Sequence, residues 1–283
     1  MGKKCVGGLV VGFPQVPKQL CGGLAPASLP PEGGSHREGK TMKCLILAAG
    51  QGSRMRPLSA SKPLTPVCGT PLIEHVIRRA AAAGAAEFLV VTGHCGERVE
   101  AFLDGLSGRI GLPVRALRTA DWSRPNGFSV VTGAAEIAEP YLLLMADHLF
   151  DPAIARRLLT EASAGRDLVL AVDRNCASPS IDLDDATRVE TAADGAIVCI
   201  GKGLDRYNAV DTGIFLATPA LREAILEDIA AGGGGSLSEG VQRLADRRSA
   251  HTIDIGSRWW IDVDDPPSHR RAEAALAGAA PAP

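Results

Sequence analysis

Two arginines and a lysine follow a glycine pair in Leu45-Ile-Leu-Ala-Ala-Gly-Gln-Gly-Ser-Arg-Met-Arg56, a stretch closed by Ser61-Lys-Pro-Leu64. The apolar run from Cys44 to Ala49 stops at Gly50 and Gly52. Glycines let backbone amides approach anionic oxygens closely, so this turn with Arg54, Lys62 and the weaker candidate Arg56 suits a phosphate-rich ligand. Its spacing matches neither the G-x-x-x-x-G-K-[ST] loop nor the three-glycine dinucleotide fingerprint. A second apolar run, Tyr141 to Ala146, ends in Asp147. A carboxylate there is costly if buried alone, so a cation partner is expected. Mg²⁺ takes one or two protein carboxylates together with phosphate oxygens and water. The second carboxylate can come from Trp259-Trp-Ile-Asp-Val-Asp-Asp265, where extended alternation puts Asp262 and Asp264 on the face of Trp260. Asp262 is favoured over Asp264, since Asp264 or Asp265 can instead cap the helix that starts at Pro266. Lys202 ends Cys199-Ile-Gly-Lys202 and can reach an acceptor phosphate or simply sit on the surface. Asn126 and Gly127, in Arg124-Pro-Asn-Gly-Phe-Ser129, either hydrogen-bond a flat base or open a helix. His148 reads as positional, and the remaining histidines form no metal spacing.

The elements that must hold these residues alternate along the chain. Strand-like runs occupy 44–48, 87–92, 114–118, 141–145 and 168–172. Helical patterns fill 71–80, 96–104, 128–137, 152–162 and, at the end, 266–276. Apolar residues at 72, 73, 76, 77 and 80 share one helix face. Such alternation predicts an α/β fold, Rossmann-like, with a mixed and mainly parallel sheet flanked by helices. Ligands on these sheets bind at the carboxyl ends of strands, where Gly50 and Asp147 fall. Short strands at 187–191, 196–200 and 211–216, with a hairpin signal at Asp194-Gly195, predict a small antiparallel excursion over the sheet. Gly232–Gly235 reads as a flexible connector between two helices.

A hydrophobic content of 46% and a charged content of 22% are ordinary for a folded domain. A net charge of −2 gives no support for nucleic-acid binding, and no apolar stretch is long enough to span a bilayer. Seven scattered cysteines without a C-x-x-C pair indicate neither a zinc site nor a disulfide framework, which points to a reducing, cytoplasmic setting. Residues 1–41 are Gly- and Pro-rich without periodicity and read as a disordered extension. The folded domain is expected at 42–277, followed by a disordered tail at 278–283. Met42 reads as the true start, so a chain beginning there is expected to fold and stay active.

The string Leu47-Ala-Ala-Gly-Gln-Gly-Ser-Arg54, with Pro57 and Lys62-Pro63, resembles the nucleotidyltransferase family that makes nucleoside-diphosphate sugars and alcohols. The resemblance implies a GT-A-like fold and a nucleotide site at Leu47, Ala48, Ala49, Gly50, Gly52, Ser53 and Arg54, with Asn126 and Gly127 at the base. It implies that Arg54 holds the β- and γ-phosphates, that Lys62 neutralises the α-phosphate region, and that Asp147 with Asp262 or Asp264 holds Mg²⁺. In this reaction a phosphomonoester attacks the α-phosphorus of a nucleoside triphosphate. The attacking group is largely dianionic at neutral pH, so no side-chain base is needed. The obstacle is anion meeting anion, which fixed cations and a metal relieve.

Met145-Ala-Asp-His148, Val198-Cys-Ile-Gly-Lys202, Val210-Asp-Thr-Gly-Ile-Phe215 and Trp260-Ile-Asp-Val-Asp264 are similar, in order and spacing, to the CTP:inositol-1-phosphate cytidylyltransferase branch. Ala146 replaces the usual glycine. This likeness implies CTP and a phosphorylated polyol as substrates, with Lys202, Asp211 and Thr212 on the acceptor. It also implies that the product goes to a CDP-alcohol transferase, here expected on a separate chain, and leaves homodimerisation open. Neighbouring branches use choline phosphate, aminoethylphosphonate or hexose 1-phosphates. A glycosyltransferase built on Asp147-His-Leu-Phe-Asp151 would not need Arg54 and Lys62. A non-catalytic regulatory homologue would not need to keep Arg54, Lys62, Asp147 and Asp262.

Overall fold

A computed structural model describes residues 41–161, 165–178 and 181–278. The expected N-terminal extension, apart from Thr41, and the expected tail, apart from Gly278, lie outside the described residues. The first half of the chain runs β1 (Lys43–Ala48), two single turns of 3-10 helix (Ser53–Met55 and Lys62–Leu64), β2 (Pro66–Val67), β3 (Thr70–Pro71), α1 (Leu72–Ala83), β4 (Glu87–Thr92), α2 (Gly96–Ile110), β5 (Val114–Arg118), α3 (Gly127–Ala134), β6 (Tyr141–Met145), β7 (His148–Phe150) and α4 (Pro152–Glu161). The second half runs β8 (Leu168–Asp173), β9 (Arg188–Thr191), β10 (Ile197–Gly201), β11 (Ala209–Ala217), α5 (Ala220–Ala230), α6 (Leu237–Asp246), β12 (Ala250–Asp254), β13 (Trp260–Asp262) and α7 (Pro266–Leu276).

Nine strands form one mixed sheet in the order β10-β9-β11-β6-β1-β4-β5, with β8 beside β11 and β12 beside β8. Strands β6, β1, β4 and β5 are parallel neighbours. Of these, β6, β1 and β4 read as nearly continuous apolar runs because both faces are covered, whereas β5 at the sheet edge carries two exposed arginines. On β1, Cys44, Ile46 and Ala48 join the core under α1, α2 and α4, whereas Leu45 and Leu47 join the core under α3, α5 and α6. All five apolar positions expected on α1 are buried.

Two expectations are corrected. Strand β11 belongs to the main sheet, not to an excursion: it lies antiparallel to β6 and to β8, and only its first residues pair with β9. The excursion is reduced to the β9–β10 hairpin. Nor is Gly232–Gly235 a loose connector. The Gly233 amide donates to the Asp228 carbonyl at 2.9 Å, the Gly235 amide to the Asp228 carboxylate at 3.1 Å, and Arg243 Nε to the same carboxylate at 2.9 Å. A small antiparallel pair, β7 with β13, sets Asp262 opposite His148. Among the described residues, no helix is long and apolar enough to cross a membrane.

Candidate active site

The site opens where β1 ends. Gly52 turns the chain at φ +59°, and a Cβ there would lie 2.5 Å from Cβ of Lys62. Glycine at this position therefore serves both the left-handed turn and the passage of the lysine stem beneath it. Lys62 follows on a 3-10 turn with Pro63 behind it. Its side chain is only 8% exposed, and its ammonium lies between Asp147, at 2.6 Å, and Asp264. A buried ammonium needs such compensation, and two carboxylates supply it. Loss of water alone would lift the Asp147 carboxyl, but Lys62 and then His148 hold it below the usual carboxylate range. Arg54 is more open, with one guanidinium nitrogen on Asp264 at 2.5 Å and on Asp185.

Asp262 and Asp264 share a segment but point their oxygens to different partners. Asp264 is committed to the two cations. Asp262 faces His148 Nε2 at 3.5 Å, and its buried Oδ1 has no hydrogen-bond partner among the described residues. Ligand atoms of Asp147, His148 and Asp262 all lie within 4.8 Å of one another. Two carboxylates, one with an orphaned oxygen, fit a hard divalent cation such as Mg²⁺. His148 is better suited as their counter-ion than as a ligand. Burial alone would lower its pKa, but Asp262 and Asp147 outweigh this and raise it to about 9. Its Nδ1 donates to the Thr212 carbonyl at 2.7 Å. Asp265, not Asp264, caps α7, accepting the Ser268 amide at 2.7 Å.

The opposite wall comes from the antiparallel half. Lys202 follows β10, is 63% exposed, and pairs with Asp185. On β11, Asp211 accepts the Gly213 amide at 2.7 Å, and burial pushes its carboxyl up to about 6. Gly213 has φ +72°, and a Cβ there would lie 2.2 Å from His148 Nδ1. Thr212 is placed differently from Asp211. It is fully buried, and its hydroxyl donates to the Ala171 carbonyl at 2.8 Å, so it supports the wall from behind.

Asn126 sits at the cleft rim, where its Oδ1 accepts the Leu237 amide at 3.0 Å and so ties the α3 and α6 starts together. Gly127 is buried, and a Cβ there would lie 2.2 Å from the Gly235 carbonyl oxygen. The glycine-rich turn thus packs on the segment expected at the base. A cavity of about 310 Å³ joins the two walls and is lined by Arg54, Asn126, Asp147, Lys202, Asp211 and Asp262. Lys62 lies beneath it, reaching it only through the two carboxylates. Trp260 also lines it, with Nε1 donating to Asp173 at 2.9 Å. Asp185 and the Trp260–Asp173 pair were not expected from sequence. The acidic run Asp182-Leu-Asp-Asp185 was the one signal for the first, but such runs are usually solvated.

The MobA-like NTP transferase domain family matches residues 44–247. A "Bifunctional IPC transferase and DIPP synthase" of Rubrobacter xylanophilus is 36% identical over 254 residues, covering 88% of this chain and 55% of the relative. The "CMP-5'-(3-aminopropyl)phosphonate synthase" of Streptomyces rubellomurinus is 30% identical over 252 residues, covering 82% of this chain and 38% of the relative. The chain thus spans about half or less of the length of these relatives. The solved inositol-1-phosphate CTP transferase from T. maritima shares the fold, with a TM-score of 0.74 at 23% identity, covering 85% of this chain and 96% of that one.

Proposed function

The chain belongs to the MobA-like NTP transferase family, and we propose that it transfers CMP from CTP to inositol 1-phosphate, releasing CDP-inositol and pyrophosphate. The observation that carries this reading is the two-walled cleft, with Arg54 and Lys62 on one side, Lys202 and Asp211 on the other, and Asp147 with Asp262 between them. The inositol acceptor is supported by the name of the T. maritima structure, an inositol-1-phosphate CTP transferase, and the Rubrobacter relative is named an IPC transferase.

On this reading the amides of Ala49 to Ser53 and the Arg54 guanidinium receive the triphosphate, and Asn126 lies where the base would rest. Lys202 fixes the acceptor phosphate, and the ionised Asp211 accepts hydrogen bonds from polyol hydroxyls. Attack at the α-phosphorus builds negative charge towards the leaving pyrophosphate, where Arg54 stands. Lys62 keeps Asp147 and Asp264 neutralised as this charge develops. Asp147 and Asp262 would hold Mg²⁺, which would screen the phosphate oxygens from the attacking anion. The CDP-linked product suits a CDP-alcohol transferase as the next enzyme.

A second reading keeps the reaction and changes the acceptor. A half-buried carboxylate such as Asp211 suits an ammonium as well as a hydroxyl, and the Streptomyces relative is named for an aminopropylphosphonate product. Pyrophosphate release should be measured with four nucleoside triphosphates, each against inositol 1-phosphate, an aminoalkylphosphonate, choline phosphate and a hexose 1-phosphate. Fastest turnover is expected with CTP and inositol 1-phosphate. Turnover only with another acceptor would overturn the inositol reading, and silence throughout would overturn the reaction class.

A further inference from the structure

The carboxylate of Asp185 links the two walls of the cleft. One oxygen accepts from the Arg54 guanidinium, the other from the Lys202 ammonium. Lys202 and then Arg54 hold the Asp185 carboxyl below its ordinary range. Arg188 at the start of β9 ties the loop carrying Asp185 to the loop that follows Lys202. Its guanidinium donates to the Leu183 carbonyl at 3.0 Å and to the Leu204 carbonyl at 2.9 Å. Asp185 and Lys202 therefore belong to one wall, and Arg54 reaches Asp185 from the other.

Both oxygens of Asp185 are used by cations, and Asp185 stands outside the Asp147–His148–Asp262 group. An anion with two oxygens, each on a separate cation, matches how a phosphate group would be held between the same side chains. The pairs are also weak enough to break. Arg54 is 49% exposed and Lys202 63% exposed, and ion pairs at such exposure contribute little. The clamp on Lys62, at 8% exposure, is not of this kind.

We infer that Asp185 is an exchangeable counter-ion that neutralises Lys202 and, together with Asp264, Arg54 until a substrate or product phosphate takes its place. It sets the affinity of the cleft for phosphate, and it is not a catalytic residue. The inference requires phosphates to bind at Arg54 and Lys202, and it does not depend on which acceptor is used.

The test is calorimetric titration of the full chain with inorganic pyrophosphate in metal-free buffer. Asp185→Asn should tighten pyrophosphate binding by roughly five- to tenfold, on the order of 1 kcal/mol. Asp185→Ser should do the same if the amide disturbs the loop, and Asp185→Glu should bind like the parent. Asp184 is exposed one residue away, so Asp184→Asn removes the same charge without touching the bridge. It should change affinity by less than about twofold in physiological salt. In turnover, Asp185→Asn should lower KM for the nucleotide while kcat holds. A positioning role would instead reduce kcat and weaken pyrophosphate binding. Unchanged or weaker binding by both neutral variants would overturn the inference, as would equal tightening by Asp184→Asn. If no form of the protein bound pyrophosphate without metal, this inference would fall, and pyrophosphate release with Mg²⁺ would test the proposed reaction separately.

Discussion

The two walls of the cleft carry like charges in unlike ways. On the nucleotide wall, Lys62 is nearly enclosed, held by two carboxylates and roofed by a glycine that leaves room for its stem. That wall rises from parallel strands buried on both faces. On the acceptor wall, Lys202 stands open at the end of a hairpin with an irregular register, with Asp185 as its carboxylate partner. A charge in a low-dielectric setting acts strongly and is expensive to leave unpaired, whereas an exposed one acts weakly and can be moved cheaply. On the proposed reading, chemistry common to every nucleoside triphosphate is built into the core. The same reading leaves acceptor choice to a more open surface.

Substitutions at the enclosed wall should do the greatest damage. Lys62→Ala would remove the cation between Asp147 and Asp264 and leave only Arg54, on the open side, to offset Asp264. Turnover is expected to fall by roughly 10³-fold or more, and stability by about 3 kcal/mol. Pyrophosphate release and urea midpoints measure the two effects, and an active, stable Lys62→Ala would erase the distinction between the walls. Asp147→Asn should abolish Mg²⁺-dependent turnover while the protein stays folded. The neighbouring aspartates then sharpen the picture. Asp262→Asn should raise the Mg²⁺ concentration for half-maximal rate by about tenfold or more, in the range seen for lost support of a metal site. Asp264→Asn should lower kcat and leave that concentration alone. The opposite pattern would transfer the metal to Asp264.

The same contrast governs how much of each wall is legible in the amino-acid sequence. The runs at 87–92, 114–118 and 141–145 are strands within the same bounds; 87–92 and 141–145 announce themselves by nearly unbroken apolar residues covered on both faces, and the edge strand at 114–118 by apolar residues between two arginines. Arg54, Lys62 and Asp147 are legible because each lies at a fixed offset from such a run. Strand β11 reads as lying outside the sheet because Asp211-Thr-Gly213 breaks its apolar run. The structure puts that break at the edge of the cleft, with Asp211 towards the cavity and Thr212 against Ala171. Strands β7 and β13 are three residues each, too short for any period to show, and their pairing brings His148 to Asp262. Asp185 reaches Arg54 across 131 residues of sequence, and no local pattern encodes that meeting.

On the open wall, effects should be smaller and confined to the acceptor. Lys202→Ala is expected to raise KM for inositol 1-phosphate by roughly tenfold, with KM for CTP unchanged. Its urea midpoint should show a stability change within about 0.5 kcal/mol, as for most exposed positions. A loss of stability like that of Lys62→Ala would show that this wall, too, depends on its cation.

Asp211 is the exception on its own wall, and it gives the finest test. Burial raises its carboxyl to about 6, against an ordinary value of 3.8, with the Gly213 amide and His148 too weak to reverse the shift. Folding therefore favours the protonated acid. The stability this group contributes is fully present below about pH 4 and is lost as pH rises through 6. Above pH 6 the folded protein carries a carboxylate that would be better solvated in the unfolded chain. Asp211→Asn keeps the shape and removes that charge, so it should stabilise the protein at pH 8 by on the order of 2 kcal/mol and have almost no effect at pH 4. Urea midpoints at the two pH values measure the difference. If Asp211 binds the acceptor, the same variant should raise KM for inositol 1-phosphate by about tenfold, because the amide nitrogen cannot accept a hydroxyl proton. A gain in stability at pH 8 with unchanged KM would make Asp211 a strained part of the wall and no more. A gain in stability together with a loss of acceptor affinity would mean that the wall gives up stability in order to recognise its substrate.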